Sequence, residues 1–154
     1  MRRNFIAFLR QHKSYKNTNV KKYTYISILI STITLFVIGT VYYIIFGNEL
    51  AKHSTAFANQ EFTAINAMVE LLRCIILSFV LVKLVSMLGI TTWRKALSLS
   101  ILLWVGFPFV LLLGSVNHEK TPIMLAIIHS GDWLIKLIVV TIILAFRNKK
   151  DTNQ

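Results

Sequence analysis

Five ionisable residues and a histidine stand inside otherwise apolar runs of this 154-residue sequence: Glu70, Arg73 and Lys83 in one run, His129, Asp132 and Lys136 in another. Charge is costly in a hydrocarbon medium, so side chains of this kind act on one another or on something that passes between them. Thr63, Asn66, Glu70 and Arg73 recur at intervals of three and four residues, as do His129, Asp132 and Lys136. On helices, each set forms one polar stripe. Opposite charges on two such stripes can neutralise one another and hold the helices together, at about 0.6 to 2 kcal/mol per contact. Alternatively, carboxylates, a histidine and cations can line a path for protons, ions or a small anion. The near balance of charge favours the packing role over transport. A third chemistry, acid and base catalysis by Asp132 and His129 in a membrane-embedded enzyme, ranks below both.

Other reactive patterns are missing from the sequence. His12, His53, His118 and His129 are scattered without zinc-ligand spacing, no glycine-rich phosphate loop occurs, and no serine or cysteine has a neighbouring base. No catalytic residue, metal or cofactor is therefore expected, and the chain is read as not an enzyme. Cys74 is the single cysteine, which excludes an intramolecular disulfide and leaves a small apolar packing group.

The elements that must position these side chains follow from hydropathy. The chain is 55% hydrophobic and only 15% charged, a composition suited to a bilayer rather than to water. Apolar runs at about 23–46, 62–88, 96–116 and 122–146 each reach the roughly 20 residues that a helix needs to cross about 30 Å of hydrocarbon. They are continuous rather than alternating, which predicts helices, whose backbone hydrogen bonds close within each segment. The expected fold is all-α: a polytopic four-transmembrane-helix bundle over 23–146, with a basic segment 1–22 before it and a short tail 147–154 after it. The first run is too long for a signal-peptide core and has no small-residue cleavage site after it, so it reads as an uncleaved span.

Insertion of the fourth run alone is close to neutral. Its fourteen Leu, Ile, Val and Phe residues return roughly 6 kcal/mol, and Asp132 with Lys136 costs about as much. Partners for those charges are therefore expected on a neighbouring helix. Counted at about 1.5 Å per residue, Glu70 and Arg73 lie roughly 12 and 16 Å from Phe62, and His129 and Asp132 roughly 10 and 15 Å from Pro122. The levels match. They predict contact between the second and fourth helices, with Arg73 on Asp132 as the best-matched pair and Glu70 reaching His129 or Lys136. Lys83, near the end of its run, is expected to snorkel to the interface.

Orientation follows from where the cations fall. Arg2, Arg3, Arg10, Lys13, Lys16, Lys21 and Lys22 precede the first run, whereas Lys52 stands beside Glu49 and Glu61 in the next loop. Arg94 and Lys95 occupy the second loop, Lys120 and Glu119 the third, and Arg147, Lys149 and Lys150 the tail. Positive short loops stay inside, so both termini are expected in the cytoplasm. Tyr23, Tyr25, Tyr42, Tyr43 and Trp93 fall near run ends and are expected in the headgroup zone. The net charge of +11 sits beside apolar segments rather than along one soluble face, which argues against nucleic acid. The expected partners are the bilayer, anionic headgroups at the basic amino-terminal segment, and a second copy or another membrane protein. Phe5, Phe8 and Leu9, at helical spacing among arginines, suit an interfacial turn.

The third run carries Trp104, Gly106, Phe107 and Pro108 close together. Pro108 cannot donate to the carbonyl of Trp104 and is expected to kink the helix, while Gly106 is expected to allow close backbone approach. Several short motifs resemble an uncharacterised family of small four-helix bacterial membrane proteins, a domain of unknown function. Gly39-Thr-Val-Tyr-Tyr-Ile-Ile-Phe-Gly47 resembles its glycine, aromatic pair, phenylalanine, glycine element, though shorter and without the usual proline. Trp104-Val-Gly-Phe107 is similar to its tryptophan-any-glycine-phenylalanine motif, and Glu119-Lys-Thr-Pro122 to the loop that follows. Asp132 and His129 replace less costly residues of that family. The resemblance implies architecture and a bacterial cytoplasmic (inner) membrane location, and it implies no activity. The expected role is that of a non-enzymatic accessory or assembly protein whose internal charges specify helix packing.

Overall fold

A computed structural model describes the backbone of residues 2–54 and 63–152 and the side chains of residues 24–54 and 63–149. Glu61, Phe62 and the side chains of the basic segment before Thr24, Phe5, Phe8 and Leu9 among them, lie outside the described residues.

The described elements are all helical. Helix α1 spans Arg2–His53 without interruption, so the basic segment and the first apolar run form one rod rather than two pieces. Both prolines of the chain, Pro108 and Pro122, come later, and nothing in α1 removes a backbone donor. Helix α2 spans Ala64–Met87. Thr63 caps it in extended conformation, its side chain accepting from the Asn66 N–H at 3.3 Å. At the other end, Gly89 adopts φ +59 while the Ile90 N–H returns to the Val85 carbonyl at 3.0 Å. Only glycine takes that left-handed position without strain, which makes the stop a sharp one.

The third rod is broken in character. It comprises α3, Trp93–Trp104, a π-helical turn at Val105–Phe109 and α4, Val110–His118. Pro108 lies inside the wide turn, which tolerates the backbone donor that proline lacks. After a turn in which Lys120 takes φ +59, α5 runs over Ile123–Thr152.

Three of the four rods are long and apolar enough to cross a membrane: Thr24–His53, Trp93–His118 and Ile123–Lys149. Helix α2 is also 24 residues long but carries Glu70, Arg73 and Lys83. Much of the apolar surface faces outward, including Leu29, Ile44, Leu72, Ile76, Leu102 and Leu111. That distribution is the reverse of a water-soluble bundle.

Helix α5 is the central element. It packs on α1, on α2 and on α3, and α1 packs on α2. Contacts run antiparallel between α1 and α5, because Ser27 meets Arg147 at one end and Tyr43 meets His129 towards the other. The apolar core lies along these seams, with Leu35, Leu81, Val85, Ala96, Leu137, Val140 and Leu144 all buried.

Candidate functional site

Lys136 organises the middle of the bundle. Its Nζ lies 2.8 Å from Asp132 Oδ2, one turn earlier in α5, and 3.3 Å from Glu70 Oε1 on α2. Arg73 extends the line by donating to Glu70 Oε2 at 2.8 Å. The order Asp132, Lys136, Glu70, Arg73 alternates in sign and sums to zero. Its members also run from inside to outside, with side chains 4%, 7%, 29% and 58% exposed in that order. Along the apolar segments that begin at Thr24 and Ile123, Gly39 and Lys136 each lie about 20 Å from either end. The line therefore sits midway along these apolar segments.

The direct Arg73 to Asp132 pair expected from depth alone is not what forms. Arg73 pairs with Glu70 on its own helix and lies over the Trp133 ring at 5.9 Å, while Asp132 is taken by Lys136. Depth fixes level but not azimuth: Arg73 stands on the outer flank of α2, and the longer reach from α5 to α2 is made by the lysine. Of the two expected partners for Glu70, Lys136 is at salt-bridge distance. Asn66 sits at the exposed start of α2. Lys83 is exposed and lies 5.9 Å over the Phe79 ring.

Helix α1 contributes a residue that carries no charge. A Cβ built on Gly39 would stand 2.7 Å from Lys136 Nζ, 2.9 Å from its Cε and 3.7 Å from Glu70 Oε1. The absent side chain is thus the space in which the lysine reaches across α1 to the carboxylate on α2. Nothing about α1 in isolation signals this, since the glycine's role depends on which helix lies against it. Cys74, buried next to the line, places its Sγ 3.9 Å from Glu70 Oε1.

A second layer lies one turn towards the C-terminal end of α1. Tyr42 donates to the Ile128 carbonyl at 2.9 Å, and Tyr43 Oη lies 2.7 Å from His129 Nδ1. A Cβ on Gly131 would come 2.6 Å from Tyr42 Oη, so this glycine admits the phenol. Both tyrosines were expected in a headgroup belt. Their hydroxyls are directed at α5, and α1 continues for about three turns beyond them to His53. Trp104 Nε1 donates to the Ser130 carbonyl at 2.9 Å from the opposite side.

The four residues of the third-rod motif separate in the structure. Trp104 packs inward, and its ring lies 5.3 Å from Phe109. Pro108 occupies the π turn. Phe107 is 63% exposed, and a Cβ on Gly106 would meet nothing within 4 Å. The close approach expected of Gly106 is therefore not made; its face of the turn looks away from the bundle.

Neutral contacts complete the remaining seams. Ser100 on α3 bonds Thr141 on α5 and the Leu137 carbonyl, and Thr32 on α1 donates to Ser78 on α2 at 3.1 Å. Among the described residues, three buried oxygens, Ser31 Oγ, Ser130 Oγ and Asp132 Oδ1, have no hydrogen-bond partner. Among the described residues, no three His, Cys, Asp or Glu side chains are grouped so as to hold a metal ion.

Four helical rods, three of them long and apolar enough to cross a membrane, joined midway along their length by a neutral line of four charges, define the class to which this chain is to be compared. The chain belongs to the family described as protein of unknown function DUF1761, whose model matches residues 26–145. No curated protein and no solved structure matched it.

Proposed function

We propose that this is a four-pass integral protein of the bacterial cytoplasmic membrane, with both termini in the cytoplasm, serving as a non-enzymatic accessory or assembly subunit. The single observation that carries the packing reading is the Lys136 bridge: one buried cation tied to a carboxylate on its own helix and to another on α2, seated where α1 has no side chain. Burying charges in such a site is costly, and the partners together define one register between three helices. The topology rests on Arg94, Lys95, Arg147 and Lys149 lying at the end of the bundle where α1 enters its apolar segment. Helix α2 completes the fourth crossing, its Glu70 carboxylate being shared with Lys136 of α5.

The test is a charge exchange. Glu70→Lys or Lys136→Glu alone lowers the amount of folded protein in the membrane, and the two together restore part of it. Abundance indifferent to either single change, with no rescue by the pair, removes the basis for the packing role.

A second reading, proton or ion movement, is favoured by one specific feature: Tyr43, His129, Asp132, Lys136 and Glu70 are consecutive neighbours, and Asp132 Oδ1 is buried with no partner. Reconstituted liposomes separate the two. A flux abolished by Asp132→Asn at normal abundance supports transport.

A further inference from the structure

A recess lies at the end of the bundle where α1 enters its apolar segment, about 20 Å from the Lys136 bridge. It has room for about 40 Å³ and opens between the start of the apolar part of α1, the end of α2 and the end of α5. Thr24, Ser27, Ser86 and Asn148 supply its polar wall, and Val82, Val85 and Leu144 its apolar floor. A water-sized group needs roughly 10 to 15 Å³ by the same measure, so the recess takes about three such groups and nothing larger.

Arg147 does not line the recess but adjoins it through Ser27, its Nε donating to Ser27 Oγ at 2.9 Å. A guanidinium carries five donors, and this bond engages one of them. The remaining fork of two Nη groups is the part that matches a pair of phosphate oxygens. The Asn148 amide is held beside it by the Val85 and Ile90 carbonyls, at 3.4 and 3.1 Å. Lys149 follows on α5, and Arg94 and Lys95 open α3 at the same end. Every acid with a described side chain, Glu49, Glu70, Glu119 and Asp132, lies at mid-depth or at the opposite end. With Arg147, Lys149, Arg94 and Lys95 against the single acid Asp151 at this end, the recess is polar, small, flanked by an excess of cations and set where an apolar segment meets its basic flank. Basic pockets between helices on the cytoplasmic side are where anionic headgroups bind.

We propose that this recess binds the phosphate of an anionic lipid headgroup, with the hydroxyls of Ser27 and Ser86 on its wall and the adjoining Arg147 fork donating to the phosphate oxygens. Glycerol and acyl chains remain outside, along the apolar surfaces of α1 and α2. The proposal rests on the membrane reading above, but it is independent of whether the Lys136 bridge serves packing or transport.

The experiment places the full-length chain in nanodiscs of phosphatidylcholine containing spin-labelled phosphatidylglycerol or spin-labelled phosphatidylcholine, and reads the immobilised fraction of each. Wild type retains the anionic label selectively. Arg147→Gln lowers that selectivity about fivefold, the loss expected for one cation at the headgroup level, and Ser86→Leu lowers it by filling the recess. Arg147→Lys restores part of it. Equal losses from Arg147→Gln and Lys149→Gln show diffuse surface charge and overturn the recess. Displacement of the label by inorganic phosphate assigns the site to the free anion and overturns the lipid source. Failure of the chain to enter nanodiscs counts against the membrane reading itself, a result distinct from entry without selectivity.

Discussion

Helix α5 is held on its two sides by different materials. Towards α1 and α2 the seam is ionic: Lys136 lies between Asp132 and Glu70 in a space left by Gly39. Towards α3 it is neutral, with Ser100 and Thr141 exchanging hydrogen bonds and Trp104 reaching the Ser130 carbonyl. Hydroxyls that can return their bonds to the helix of origin are cheap to bury, and Thr141 does so onto the Leu137 carbonyl at 2.8 Å. A buried charge has no such retreat. The ionic seam therefore fails abruptly when one member is removed, and the neutral seam fails gradually.

The sharpest way to break this contrast is Lys136→Ala. It leaves two carboxylates close together with only the outlying Arg73 as counter-charge, and the expected loss is about 3 to 5 kcal/mol of folding free energy, read by denaturant titration in micelles. Adding Asp132→Ala recovers most of that loss, since Glu70 keeps Arg73; no recovery means that the lysine does more than neutralise. Next in size is Gly39→Ala, whose methyl group displaces the lysine head at a cost of about 1 to 3 kcal/mol. In a Lys136→Ala background the same change is close to harmless, and a double-mutant cycle reads the difference. The smallest effect is that of Thr141→Val on the neutral seam, about 0.6 to 1.7 kcal/mol by the same titration. A Thr141 effect equal to that of Lys136 erases the distinction between the seams.

The parts of this architecture that depend on one-dimensional pattern were legible in the residues. Long apolar runs mark the helices, and intervals of three and four place Glu70 with Arg73 and Asp132 with Lys136 on single faces. Matched depth brings α2 and α5 together at those levels. What pattern cannot supply is rotation about the helix axis. That is why Arg73, at nearly the right depth for Asp132, pairs with Glu70 instead. The role of Gly39 was hidden for the same reason, because α1 offers no charge to link it to the others. The contacts of Tyr42 and Tyr43 with α5 were hidden likewise, because a position near the end of an apolar run does not say which way a ring points. Gly106 shows the converse, a small residue whose neighbourhood turned out to be empty.

The position of α5 has a consequence for how the chain is made. Helices emerge from the ribosome in order, so α1, α2 and α3 reach the bilayer before the element that joins them. Until α5 arrives, Glu70 has only Arg73 beside it, the notch at Gly39 is unfilled and the inner face of α3 has little to lie against. This last rod gains little on entering lipid by itself, and it enters best where α2 already offers the Glu70 carboxylate and α1 the notch at Gly39. Assembly of this bundle is thus ordered in time, with completion of the fold waiting on its final helix.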